Sequence, residues 1–394
     1  MENKDLLELV KSKAKVWLTE SYDAETRAQV QALLDNEDPT ELIESFYKDL
    51  EFGTGGLRGI MGVGSNRMNI YTVGAATQGL SNYLKQEFAD LDQIKVVIGH
   101  DCRNNSRKFA EISADIFSAN GIKVYLFESL RPTPEMSYAI RKLGCQSGII
   151  LTASHNPKEY NGYKAYWNDG AQMIAPHDKN TIAEVNKVRG AADIKFKGDK
   201  KLIEIIGQET DEIFLENVMT QAIDKDVVKE VADDLRIVYT PFHGCGYKLV
   251  PEALRRLGIK HLYPVEQQMV IDGRFPTVES PNPENPEGFY LAVDLAKRVN
   301  SDLIIGTDPD SDRIGTMVRG ADGEYSVITG NQLGCLLLDY VINARRATGT
   351  MPENPGAMAS IVSTSMARTI CEKNGVHFED TFTGFKFMAE LVNH

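Results

Sequence analysis

Short apolar runs alternate with amphipathic segments along most of this chain. KVVIGHD (95–101) has the length and apolar character of a buried strand. SRKFAEISADIFSANG (106–121) sets Phe109, Ile112, Ile116 and Phe117 at helical spacing, and Gly121 supplies the stop. GIKVYLFES predicts a second strand, and RPTPEMSYAIRKLG a helix opened by prolines. GIILTASHNP then predicts a third strand that runs into a loop around Ser154.

The same order returns further along. LRIVYTP (235–241) predicts a strand, and YKLVPEALRRLG a helix with Leu249, Val250, Ala253, Leu254 and Leu257 inward. GIKHLYPVE is a strand, PENPEGFYLAVDLAKRVN supplies a helix, and DLIIGTDPDSDR is a strand running into an aspartate-rich loop. GIK stands at equivalent points of both copies, 121–123 and 258–260, which marks an internal repeat. A third copy opens with ASIVSTS (359–365) as its strand and MARTICEKNG as its helix, and Gly375 matches Gly121 and Gly258. It reaches His394 before a strand-end loop of its own, so the chain is expected to be a piece of a longer protein.

Strand–helix alternation of this kind predicts an α/β fold. The expected architecture is repeated α/β domains with mixed, largely parallel sheets packed between helices around a shared cleft. Ligands of such sheets bind at the carboxyl ends of the strands, and both Ser154 and the aspartates lie there.

Composition narrows the partners. A chain of 394 residues is longer than one ordinary core requires. The net charge of -13 argues against nucleic acid but leaves room for a small anionic ligand in a local basic pocket. The start, MENKDLLELVKSKAK, lacks the basic and apolar regions of a signal peptide. No apolar stretch approaches the ~20 residues of a membrane span. The five cysteines are scattered, which fits reduced thiols and a cytoplasmic setting.

Two motifs carry chemistry. In DPDSD an extended backbone would send Asp308, Asp310 and Asp312 to one side. Three like charges so close need a cation among them, and an all-oxygen set favours Mg²⁺ over zinc. An EF-hand fails, because Arg313 and Arg319 stand where its glycine and its last glutamate belong. In LTASHNP, Ser154 follows apolar strand residues and precedes an Asn156-Pro157 turn, with His155 as a possible base. No G-x-S-x-G elbow surrounds it, so a hydrolase triad is not supported. Three weaker segments accompany these. GTGGLRG (53–59) could bring backbone N–H groups and Arg58 to a phosphate, though it is neither a Walker loop nor a dinucleotide fingerprint. NGYKAYWNDG (161–170) reads as a hairpin carrying Lys164. PFHGCG (241–246) is loop-rich, with His243 as a supporting residue at most.

GTGGLRG, TASHNP with NGYK, and DPDSDR, in that order, resemble the α-D-phosphohexomutases, that is, the phosphoglucomutase/phosphomannomutase family with a GFK-type loop in its third domain. The resemblance implies domains at 1–212 and 213–328 and an incomplete third at 329–394. It implies that Ser154 carries a phosphoryl group and that Mg²⁺ is held by Asp308, Asp310, Asp312 and an oxygen of phosphorylated Ser154. Arg58 and Arg313 would contact phosphates, Thr383 and Lys386 the substrate, and Lys164 would handle a proton. The implied reaction interconverts hexose 1-phosphate and hexose 6-phosphate, glucose being favoured, with glucose 1,6-bisphosphate as activator and intermediate. The family's sugar-selecting loop and fourth domain do not follow TGFKFM here, so weak substrate binding and a reduced rate are expected of this chain. A metal-dependent serine phosphatase and a non-catalytic phosphosugar-binding module are the alternatives.

Overall fold

The computed structural model describes residues 3–53 and 55–393. Met1 and Glu2 of the leading segment, Thr54 of GTGGLRG and His394 lie outside the described residues. The chain forms two compact units. Among the described residues, one takes in 3–130, 136–153 and 157–206; the other takes in 131–135, 154–156 and 207–393.

In the first unit six strands are described: β1 (Gly56–Ile60), β2 (Lys95–His100), β3 (Lys123–Phe127), β4 (Ser147–Leu151), β5 (Tyr160–Trp167) and β6 (Ile203–Ile206). Their order is β1-β5-β4-β2-β3-β6. β4, β2, β3 and β6 run parallel, while β5 and β1 are antiparallel to their neighbours. The two-residue period of a strand decides which helices cover which face. Val96, Ile98, Ile149 and Leu151 point to one side, where Leu80 and Leu84 of helix Ile70–Glu87 and Phe109 and Phe117 of helix Ser106–Ala119 cover them. Val97 and Ile150 point to the other, against Met136, Ala139 and Ile140. The near-continuous apolar runs of β2 and β4 are thus the mark of strands buried on both faces. Ahead of the sheet, helices Asn3–Val16, Ala24–Asp35 and Thr40–Phe46 close over Trp17, Phe46 and Tyr71 in a core of their own.

The hairpin reading of 161–170 holds. β5 ends at Trp167 and the chain turns back, with Trp167 N–H donating to the Ala171 carbonyl. GTGGLRG differs from a free glycine loop, for its second half is edge strand β1, in register with β5.

The second unit has β7 (Arg236–Thr240), β8 (His261–Pro264), β9 (Leu303–Thr307), β10 (Ile314–Arg319) and β11 (Tyr325–Ile328) in the order β11-β10-β9-β7-β8. The parallel trio β9, β7 and β8 repeats the pattern of the first sheet, and β10 and β11 extend it antiparallel. Helices Gly246–Arg256 and Tyr290–Val299 are the amphipathic segments expected from the repeat. β12 (Gly356–Ser360) and β13 (His377–Thr381) pair in parallel, with helix Met366–Lys373 between them. The third strand therefore lies earlier than ASIVSTS suggests. Ile361 and Val362 are 60% and 71% exposed, so apolar character alone misplaced its end.

No helix among the described residues is long and apolar enough to cross a membrane.

Candidate active site

The two loops singled out by their chemistry meet. Ser154 Oγ donates to Asp308 Oδ2 at 2.8 Å, and His155 Nδ1 lies 3.2 Å from the same hydroxyl. Ser154 has φ 53°, a left-handed conformation that a serine adopts at some cost. That backbone aims the hydroxyl back at the aspartate loop, which the order of residues in TASHNP did not disclose.

The aspartates converge by a different route from the one the sequence suggested. In an extended strand, alternate residues would be spaced by about 6.6 Å. Here the chain turns after Thr307 instead. Ser311 N–H donates to the Asp308 carbonyl at 3.0 Å, and Ser311 has φ 55°. Asp308 Oδ1 then accepts from the backbone N–H groups of Asp312 and Arg313, at 3.1 and 3.0 Å. The turn brings one ligand atom from each of Asp308, Asp310 and Asp312 within 4.8 Å of the others. Oxygens on opposite sides of a Mg²⁺ ion lie about 4.2 Å apart, so small side-chain shifts suit this set to that ion. Asp308 and Asp310 are buried. Burial first, then the charges of Asp310 and Asp312, push the Asp308 carboxyl well above the usual range. A bound divalent cation reverses that balance by favouring the ionised forms.

Both loops are braced. At the serine loop, Asp101 and Arg103 form a fully buried pair, Nε to Oδ2 at 3.3 Å. Ser106 Oγ and the Arg103 backbone N–H also donate to Asp101 Oδ1, at 2.7 and 2.9 Å. Arg103 Nη1 reaches the carbonyls of Pro157 and Tyr160, at 2.8 and 3.1 Å, just past TASHNP. Asp101 N–H donates to the Leu151 carbonyl, at the end of β4.

At the aspartate loop, PFHGCG is a brace. Cys245 N–H donates to the Pro309 carbonyl at 2.9 Å. A Cβ on Gly244 would sit 2.5 Å from Pro309 Cα. One on Gly246 would collide with the Tyr239 hydroxyl and lie 2.7 Å from Thr307 Oγ1 and 2.9 Å from Ser311 Oγ. His243 faces elsewhere. Its ring nitrogens lie 2.7 Å from the Val270 carbonyl and 2.8 Å from Thr277 Oγ1.

The Arg313 guanidinium reaches Glu284 at 3.4 Å, while its backbone N–H donates to Asp308. Arg58 is exposed on β1, opposite Gly162, and Lys164 on β5 is opposite Gly56 and Ile150. The register puts Arg58 and Lys164 diagonally on one face of the first sheet. Thr383 is exposed in the turn before helix Phe385–Asn393, and Lys386 Nζ sits 4.8 Å from the Phe387 ring centroid. Sequence reading misses Asp101 and Arg103, whose only signal is their place just after the buried strand β2.

Three family models match the chain, those for the alpha/beta/alpha domains I, II and III of phosphoglucomutase/phosphomannomutase, over residues 49–191, 212–322 and 329–394. The chain belongs to the phosphoglucomutase/phosphomannomutase family. Among curated members it is 36% identical over 370 residues to a phosphoglucomutase of Staphylococcus epidermidis, covering 93% of this chain and 65% of that protein. It is 35% identical over 387 residues to a phosphopentomutase of Mus musculus, covering 95% and 62%. The chain thus spans less than two thirds of the length of these family members. A crystal structure of a family protein from Burkholderia thailandensis shares the fold, with a TM-score of 0.66 at 19% identity, over 87% of this chain and 68% of that one.

Proposed function

We propose that this member of the family is an intramolecular phosphotransferase that interconverts hexose 1-phosphate and hexose 6-phosphate. Ser154 is the phosphoryl carrier, and a hexose 1,6-bisphosphate is the bound intermediate. The observation that carries the reading is the Ser154 hydroxyl 2.8 Å from Asp308 inside a three-carboxylate cluster.

In the first half-reaction the bond between phosphorus and Ser154 Oγ breaks as a bond from a sugar hydroxyl oxygen to phosphorus forms. The hydroxyl's proton passes to a base, for which Lys164 and His155 are the candidates. In the second half-reaction the bond from the other phosphorus to its sugar oxygen breaks as a bond from Ser154 Oγ to that phosphorus forms. The sugar oxygen takes back the proton held by the base, and the serine proton passes toward His155 Nδ1 or Asp308 Oδ2, both within reach. Mg²⁺, held by Asp308, Asp310, Asp312 and a phosphoserine oxygen, would supply positive charge to the oxygens around the transferred phosphorus. Arg58 and Arg313 bind phosphate, and Thr383 and Lys386 contact the sugar. The burial of Ser154 supports protection of the phosphoserine from water.

The substrate is a small phosphosugar and not a nucleic acid, in keeping with the net charge of -13. Glucose is favoured, and a pentose phosphate is the second choice because a relative carries the phosphopentomutase name. The domains are proposed to fall at 1–212, 213–328 and 329–394, and the setting to be the cytoplasm.

Intact-mass measurement after incubation with Mg²⁺ and glucose 1,6-bisphosphate tests the reading. One added phosphoryl group on the parent and none on Ser154→Ala is expected. Steady release of inorganic phosphate would instead favour a phosphatase. Sugar-phosphate binding that survives Ser154→Ala, with no phosphoryl transfer in the parent, would favour a binding module.

A further inference from the structure

The segment RPTPE opens a helix, yet its residues 131–135 group with the aspartate loop. Thr133 is buried there. Its hydroxyl donates to Asp310 Oδ2 at 2.9 Å, and its backbone N–H donates to the Asp310 carbonyl at 2.8 Å. One residue thus holds both the main chain and the carboxylate of Asp310. The segment is itself fastened. Arg131 is 1% exposed and gives Asp211 two bonds, at 2.6 and 3.1 Å. Lys248 adds a third to the same carboxylate at 2.6 Å.

A carboxylate with one oxygen tied to a fixed hydroxyl has few rotamers in which to meet a cation. That restriction lowers the entropy lost on binding, and the retained hydrogen bond fixes the direction of approach. We propose that Thr133 is a positioning residue for the carboxylate cluster, acting through Asp310. It would set the affinity for a divalent cation without touching that cation. The inference rests on the reading of Asp308, Asp310 and Asp312 as a cation site, and needs neither a sugar nor a phosphoserine.

The test is Mn²⁺ uptake by the whole chain, followed through the electron paramagnetic resonance signal of the free ion, beside melts recorded without metal. Thr133→Val removes the hydroxyl at nearly constant volume and is expected to weaken Mn²⁺ binding by about 10–100-fold. Thr133→Ser keeps the donor and should restore near-parental affinity, a rescue that a packing role would not give. Parental affinity in Thr133→Val, equal weakness in the valine and serine variants, or a parent whose Mn²⁺ uptake is unaltered by Asp310→Asn would each overturn the proposal. Should valine unfold the chain, Thr133→Ala takes its place, with the same expected and overturning outcomes. Because uptake needs no phosphoryl transfer, a Ser154 that proves unphosphorylated would sink the mutase reading and leave this measurement intact.

Discussion

The loop after β4 and the loop after β9 follow corresponding parallel strands of two repeats, and each holds a serine in the left-handed region, Ser154 and Ser311. Their supports differ. The serine loop is held at its roots by a buried ion pair, Asp101 with Arg103, whose guanidinium caps main-chain carbonyls. The aspartate loop receives neutral donors, the Cys245 N–H and the hydroxyl and N–H of Thr133. The charged group behind Thr133, Arg131 with Asp211, is one step further back. The contrast has a physical reason. A loop that ends in one hydroxyl tolerates a paired charge close by. A permanent guanidinium among three carboxylates would compete with the cation they suit, whereas a neutral donor does not.

The largest test of this contrast removes each arginine. Arg103→Met leaves Asp101 buried without its partner and should cost about 3–5 kcal/mol in urea denaturation. Phosphoryl uptake at Ser154 should fall with it. Arg131→Met should cost less, because Asp211 keeps Lys248 at 2.6 Å. Equal losses would mean that the two arginines brace their loops alike.

A middle-sized effect is expected on the neutral side. Gly246→Ala forces a methyl group toward the hydroxyls of Tyr239, Thr307 and Ser311. It should cost about 1–3 kcal/mol and weaken Mn²⁺ uptake, since Thr307 and Ser311 flank the carboxylates. A stable variant with parental Mn²⁺ affinity would show that PFHGCG does not shape the loop.

The smallest effect concerns Glu135. It lies 3.9 Å from Arg131, while Asp211 takes the close contacts. Burial, then the charge of Asp211, raises Glu135 from 4.5 to about 9, whereas hydrogen bonds from Arg131 and Lys248 outweigh burial and hold Asp211 below its usual value. From pH 4.5 up to about 9 the folded state therefore keeps a proton that the unfolded chain has released. Stability from this group falls as pH rises through that window. Glu135→Gln should melt higher than the parent at pH 8 and show little gain near pH 4.5. A parallel pH dependence of the two melting temperatures would show that Glu135 is ionised in the folded protein.

The repeat, the strand–helix order and the two motif loops were all legible in the sequence. Periodicity and turn residues are local signals, and β2, β4, β7 and β9 each carry a strong apolar run. Three matters were not local. The aspartates converge through a turn with Ser311 at positive φ, because an extended strand would keep them apart. Ser154 meets Asp308 although 154 positions separate them. Thr133 meets Asp310 across 177 positions, and nothing in RPTPE betrays a partner so distant. Sequence alone thus determined which residues could bear phosphate or metal and which strand ends present them. Tertiary structure decided which of them share a site, because hydrogen-bond geometry between distant segments is set by packing, not by spacing along the chain.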